Sequence, residues 1–145
     1  MSAWRRVVQG VTVATIQKSQ AAGLYSTAAQ PAGAALGTLV TQAGAWNANT
    51  TRAEAQADVQ PALASVIALE PKLQTLMIYY PAAATDLKAE IAAAGVIQGD
   101  MASVGTVDLA NASTWTQKLT SDVAALNAAG KLVRSDLGLP PSSQH

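Results

Sequence analysis

From Val59 to Tyr80 the apolar side chains recur three and four residues apart: Val59, Ala62, Val66, Leu69, Leu73, Leu76 and Tyr80. That spacing lines one face of an α-helix packed against other helices, whereas a strand repeats every second residue. Thr51 with Glu54 marks the start. In such a capping box the threonine hydroxyl and the glutamate carboxylate satisfy backbone N–H groups that the first helical turn leaves without partners. Pro61 and Pro71 fall off the stripe. Each removes a backbone donor and crowds the preceding turn, so the element is expected to kink or divide near them. Pro81 ends it and can open the next helix as its first residue. The ten-residue spacing of the three prolines reads as a series of helix breaks, because three imperfect copies are too few to stack as a solenoid.

Two further stripes follow. Leu87, Ile91, Ala94, Ile97, Met101 and Val104 lie on one side of a second helix, which Gly95, Gly99 and Gly105 weaken by up to about 1 kcal/mol each relative to alanine. A connector is expected between Gly105 and Ser113. Thr114 with Gln117 forms a second candidate capping box, ahead of a stripe of Leu119, Val123, Leu126, Ala129, Val133 and Leu137 that stops at Gly138 before Pro140 and Pro141.

The first third carries a weaker pattern. Val7, Val8, Val11, Thr12, Val13, Thr15 and Ile16 are β-branched, which favours a strand. Trp4, Val7, Val11 and Ala14 instead share a helical face, and no partner strand is evident elsewhere, so a helix is expected there with a strand as the alternative. Pro31 to Trp46 reads as a short helix rich in glycine and alanine. The fold class expected is all-α: an irregular bundle with kinked or proline-interrupted helices and room for a short strand or extended arm at the N-terminus. Residues 1–145 are read as one domain, with 1–30 as an arm or first helix and 51–137 as the main bundle.

Composition bears on how firmly such a bundle holds. The chain has 32 alanines, no phenylalanine and six aromatic residues, so its core is built from small side chains that bury little area each at about 25 cal/mol per Å². A thin core gains stability from neighbours. No charge occurs between Lys18 and Arg52, but Gln20, Gln30, Gln42, Asn47 and Asn49 interrupt that stretch, so it is not expected to cross a membrane. Arg5 and Arg6 before an apolar run loosely imitate a secretory signal, without a cleavage site after it.

The side chains also restrict the chemistry. Cysteine is absent and the one histidine is His145, so a serine or threonine nucleophile has no imidazole base, and a zinc site has no nitrogen or sulfur ligands to close it. Gly130-Lys131 lies five residues after Ala125 like part of a phosphate-binding loop, but alanine replaces the first glycine and Leu132 stands where a magnesium-binding hydroxyl belongs. Asp86 with Glu90, and Glu54 with Asp58, are each one helical turn apart and are read as solvated helix faces. Asn49 and Asn111 match the glycosylation pattern and are read as loop and helix entry. Among the aromatics, Tyr80 and Trp115 are expected in the core.

These features point to a non-enzymatic structural or assembly protein within a larger complex, with a bacteriophage virion component as the specific case. The alternative is an amphipathic-helix protein coating an apolar surface, in the manner of a phasin. No catalytic, metal-binding or cofactor-binding residues are expected. Trp4, Arg5 and Arg6 combine an aromatic with two bidentate donors and are the candidate interface residues. Expected partners are other structural proteins or copies of the chain, with no small-molecule substrate, nucleic acid or membrane; the sequence does not fix a location, which is the virion if the chain is viral and otherwise the cytoplasm.

Overall fold

Four helices make up the body of the computed structural model, which describes residues 5–8 and 11–141, with side chains from residue 15 onward. A hairpin of β1 (Arg5–Val8) and β2 (Val11–Ala14) leads to α1 (Lys18–Gly44), α2 (Arg52–Tyr79), α3 (Ala84–Ala102) and α4 (Ser113–Asp136). A 3-10 turn at Pro81–Ala83 precedes α3, and two more at Ser103–Thr106 and Leu109–Asn111 make up the α3–α4 connector. The all-α class holds.

The helix expected over the N-terminal valines is not formed. β1 and β2 pair antiparallel with Arg5 opposite Ala14 and Val8 opposite Val11, so the β-branched run finds its partner strand within itself. The partner strand is the adjacent one.

Each long helix starts or stops for a local reason. At α2, Thr51 Oγ1 accepts from the Glu54 backbone N–H at 3.1 Å, and the Thr51 N–H donates to Glu54 Oε1 at 2.8 Å. These bonds hold the Glu54 carboxyl below its usual pKa. At α1 the Gln17 N–H donates to Gln20 Oε1 at 3.3 Å, a weaker version of the same device. At the far end Gly138 takes φ +72°, the left-handed conformation that terminates helices after α4.

Of the kink or division expected at the prolines, the division does not occur. α2 runs unbroken past Pro61 and Pro71, and α1 runs from Lys18 to Gly44 past Pro31, so the helix expected over Pro31 to Trp46 is the second half of a longer one. All three prolines sit on exposed faces. The carbonyls they leave without a donor belong to Thr27, Ala57 and Ile67, residues on the same solvent side, where water can replace the missing bond. The second capping box is also not used. α4 begins at Ser113 after Ala112, with Thr114 inside its first turn and no side-chain cap.

The stripes meet inside. Each helix packs along its sequence neighbour, and α1 meets α4 along the thinnest seam. One core cluster joins Leu36 and Leu39 of α1 to Val59 and Val66 of α2, Ile97 and Met101 of α3, and Leu119 and Val123 of α4. A second joins Ala21 and Tyr25 to Leu69, Leu73, Leu76, Leu87, Val133 and Leu137 at the other end. The stripe residues of α4 from Leu119 to Leu137 are all buried. Among the described residues no helix is long and apolar enough to cross a membrane.

Candidate functional site

The two core clusters are separated by a polar level. Leu87 and Val133 lie below it in the second cluster, Ala94 and Leu126 above it in the first, and between them come Glu90 of α3 and Gly130 of α4. Tyr25 of α1 reaches into this gap. Its hydroxyl donates to Glu90 Oε1 at 2.8 Å and lies 3.5 Å from the Gly130 carbonyl oxygen. Both side chains are buried, Glu90 at 3% exposure and Tyr25 at 2%.

Glycine at position 130 makes the approach feasible. A Cβ there would lie 3.0 Å from the Tyr25 hydroxyl and 3.8 Å from Glu90 Oε2. Burial pushes the Glu90 carboxyl up to about 7, with the hydrogen bond from Tyr25 pulling the other way. Burial also raises Tyr25 far above its ordinary value, assisted by the charge and hydrogen bond of Glu90, so it remains a donor. A cavity of about 390 Å³ opens beside the pair along the α1–α4 seam, with Gln30, Asn127, Lys131 and Arg134 on its walls.

Glu90 therefore corrects the reading of Asp86 and Glu90 as a solvated face. One turn of helix carries Asp86 to the half-buried margin and Glu90 into the core, because Glu90 lies beside the Leu87–Ala94 stripe. Asp86 instead meets Asp136 of α4, whose carboxyl is pushed up to about 6, chiefly by the hydrogen bond with Asp86. Gly130-Lys131 sits inside α4 with no loop around it.

A second polar site closes the opposite end. Trp46, in the α1–α2 loop, stacks on Trp115 of α4 with ring centroids 5.2 Å apart and planes at 24°. The Trp46 indole donates to Asp58 Oδ2 at 3.0 Å, and the Trp115 indole donates to the Asp100 carbonyl at 2.9 Å and Ser103 Oγ at 3.0 Å. Arg52 donates to the Val104 carbonyl at 2.7 Å, tying the start of α2 to the end of α3. Lys118 bridges Asp100 at 3.0 Å and Asp122 at 2.7 Å. Burial raises Asp100, with the neighbouring Asp122 acting in the same sense, while Asp122 is lowered by its bonds to Asp100 and Lys118. Trp115 thus packs at the edge of the core, half-buried, and Tyr80 does the same beside the second cluster. Asp58 is held by Trp46 and is no free face residue.

Of the candidate interface residues, Trp4 lies outside the described residues. Arg5 and Arg6 are described by their backbone, which pairs with Ala14 and Val13 in the hairpin. Among the described residues no three His, Cys, Asp or Glu side chains group so as to hold a metal ion. The Tyr25–Glu90 pair had no signal in the chain beyond an acidic residue next to an apolar stripe, since its members are 65 residues apart. No family model matches the chain, and no curated protein and no solved structure matches it.

Proposed function

We propose that this chain is a non-enzymatic structural or assembly protein, a helical unit that packs against copies of itself or other structural proteins, of the kind a bacteriophage virion contains. The observation that carries this reading is how its carboxylates are used. Glu90 is bound to Tyr25 across the bundle, Asp58 to the Trp46 indole, Asp100 and Asp122 to Lys118, and Glu54 to the start of its own helix. Side chains that could serve acid–base chemistry hold helices and loops in place.

The outer surface supports the same reading. Leu24, Ile67, Ile78, Tyr79, Val96 and Leu132 are exposed at 39% to 56%, with at least one on every helix. Leu24 and Tyr79 share an apolar groove of about 470 Å³ with Pro71 and Thr75 between α1 and α2. Large apolar side chains rimmed by polar ones suit protein contacts. A phasin-like coat would present its stripes to the apolar surface. Here the stripes face one another inside the bundle, so coating would require the bundle to open.

Sedimentation and native mass measurement of the intact chain, and of a variant lacking residues 1–14, test the proposal. A discrete oligomer or a defined complex with other structural proteins is expected, weakened in the truncated variant because it removes Trp4, Arg5 and Arg6. A protein that remains a monomer at every concentration and turns over a substrate overturns it.

A further inference from the structure

The polar level in the core holds a carboxyl with no cationic partner among the described residues. Glu90 Oε1 accepts the Tyr25 hydroxyl, while Oε2 accepts no hydrogen bond among the described residues and yet is not sealed away as an orphaned buried atom. It faces the cavity. Among the described residues no cationic side chain bonds to Glu90: Lys118 bridges Asp100 and Asp122 at the far end of the bundle, and α2 contributes the apolar Leu69 to the cavity wall. The charged groups that do face this space come from α4. Arg134 is close enough for its charge to act on Tyr25, and Lys131 is exposed on the same wall. Arg134 Nε donates to the Pro140 carbonyl at 2.6 Å, which leaves its terminal nitrogens without a hydrogen bond among the described residues.

We infer that this cavity is a binding site for a small zwitterion, a primary amine that also carries a carboxylate, its ammonium on Glu90 and its carboxylate at Arg134 and Lys131. An ammonium supplies the charge and the donors that Glu90 Oε2 lacks, at a carboxyl that is itself buried, where charge-assisted bonds are strong. The carboxylate then meets guanidinium and ammonium groups at the solvent side, where Gln30 and Asn127 add neutral donors. A plain amine would forgo the rim, and a plain acid would be repelled by the floor. The volume of about 390 Å³ lies in the range of small-molecule sites. Burial has pushed Glu90 up to about 7, so a bound ammonium would ionise it and release a proton. This inference is independent of the assembly role, since the cavity lies inside one chain.

Calorimetric titration of the full chain at pH 7 with ω-amino acids from glycine to 6-aminohexanoate, each beside its matched amine and acid, tests the site. One chain length is expected to bind at least about tenfold more tightly than its matched amine or acid. Its heat should differ between buffers of different ionisation enthalpy, reporting the released proton. Glu90→Gln should weaken binding at least about tenfold, and Lys131→Ala, an exposed change that leaves the core intact, should weaken it several-fold and reduce its salt dependence. Circular dichroism shows that each variant is folded. Absence of binding by every amino acid up to about 10 mM overturns the inference, as does equal binding of the matched amine or acid, or undiminished binding by folded Glu90→Gln. Should Glu90→Gln fail to fold, the buffer-dependent proton release and the Lys131→Ala result decide it.

Discussion

The Tyr25 hydroxyl donates to Glu90 Oε1 at 2.8 Å, joining α1 to α3 across 65 residues of chain in the middle of an otherwise apolar core. Burial of the Glu90 carboxyl, which the Tyr25 bond only partly offsets, makes the bundle sensitive to pH. Glu90 is raised in the folded state from 4.5 to about 7, so the folded protein holds a proton that the unfolded chain releases above 4.5. Its contribution is fully present below that value and is lost as pH rises through about 7. The difference corresponds to about 3 kcal/mol. Thermal melts between pH 4 and 8 should show stability falling over this range. Glu90→Gln should flatten most of the fall, leaving the smaller part that Asp136 contributes at lower pH.

Gly130 offers a sharper test of the same contact. A mid-helix glycine replaced by alanine ordinarily stabilises by about 1 kcal/mol. Gly95→Ala and Gly99→Ala should do so, because nothing lies within 4 Å of the added methyl. Gly130→Ala should instead destabilise, since the methyl arrives 3.0 Å from a hydroxyl that Glu90 holds in place. Combining it with Tyr25→Phe should recover part of the loss. Denaturant unfolding of the four variants gives the answer, and a stabilising Gly130→Ala would contradict the packing described.

Leu73 and Leu126 are buried in the second and first clusters, at 0% and 5% exposure. Replacing either with alanine should cost about 2–5 kcal/mol, because neighbouring alanines cannot reach into the space. A change at exposed Lys88 should stay within about 0.5 kcal/mol. Equal melting of the leucine variants and the parent would refute the stripe.

Pro61 and Pro71 sit on the solvent side of an unbroken helix. Substituting alanine restores one backbone bond at each and removes the ring's crowding, so each change should stabilise by about 1–2 kcal/mol, less than the roughly 3 kcal/mol interior cost of proline because the unfolded chain also gains freedom. Chemical denaturation of the single variants measures it.

Whatever depended on neighbours along the chain was legible in the order of the residues. The Thr51–Glu54 cap, the inward stripes of α2, α3 and α4, the stop at Gly138 and the opening of α3 after Pro81 each involve residues within a turn of one another, where backbone geometry alone sets the contact. α1 was only half legible, because half of its buried face of Ala21, Tyr25, Ala32, Leu36, Leu39 and Ala43 is alanine on an alanine-rich helix and gives little contrast. The prolines left their helices undivided for a related reason: a missing donor interrupts a helix only where nothing else can satisfy the carbonyl, and tertiary packing turned each of them to water. Tertiary structure alone decided which polar groups went inside. Glu90 became a buried acid, Asp58 the partner of Trp46, and Trp46 the partner of Trp115, once α1, α3 and α4 had been brought together by apolar faces whose burial outweighed the desolvation of one carboxyl. Local periodicity names the faces; only their meeting determines what is trapped between them.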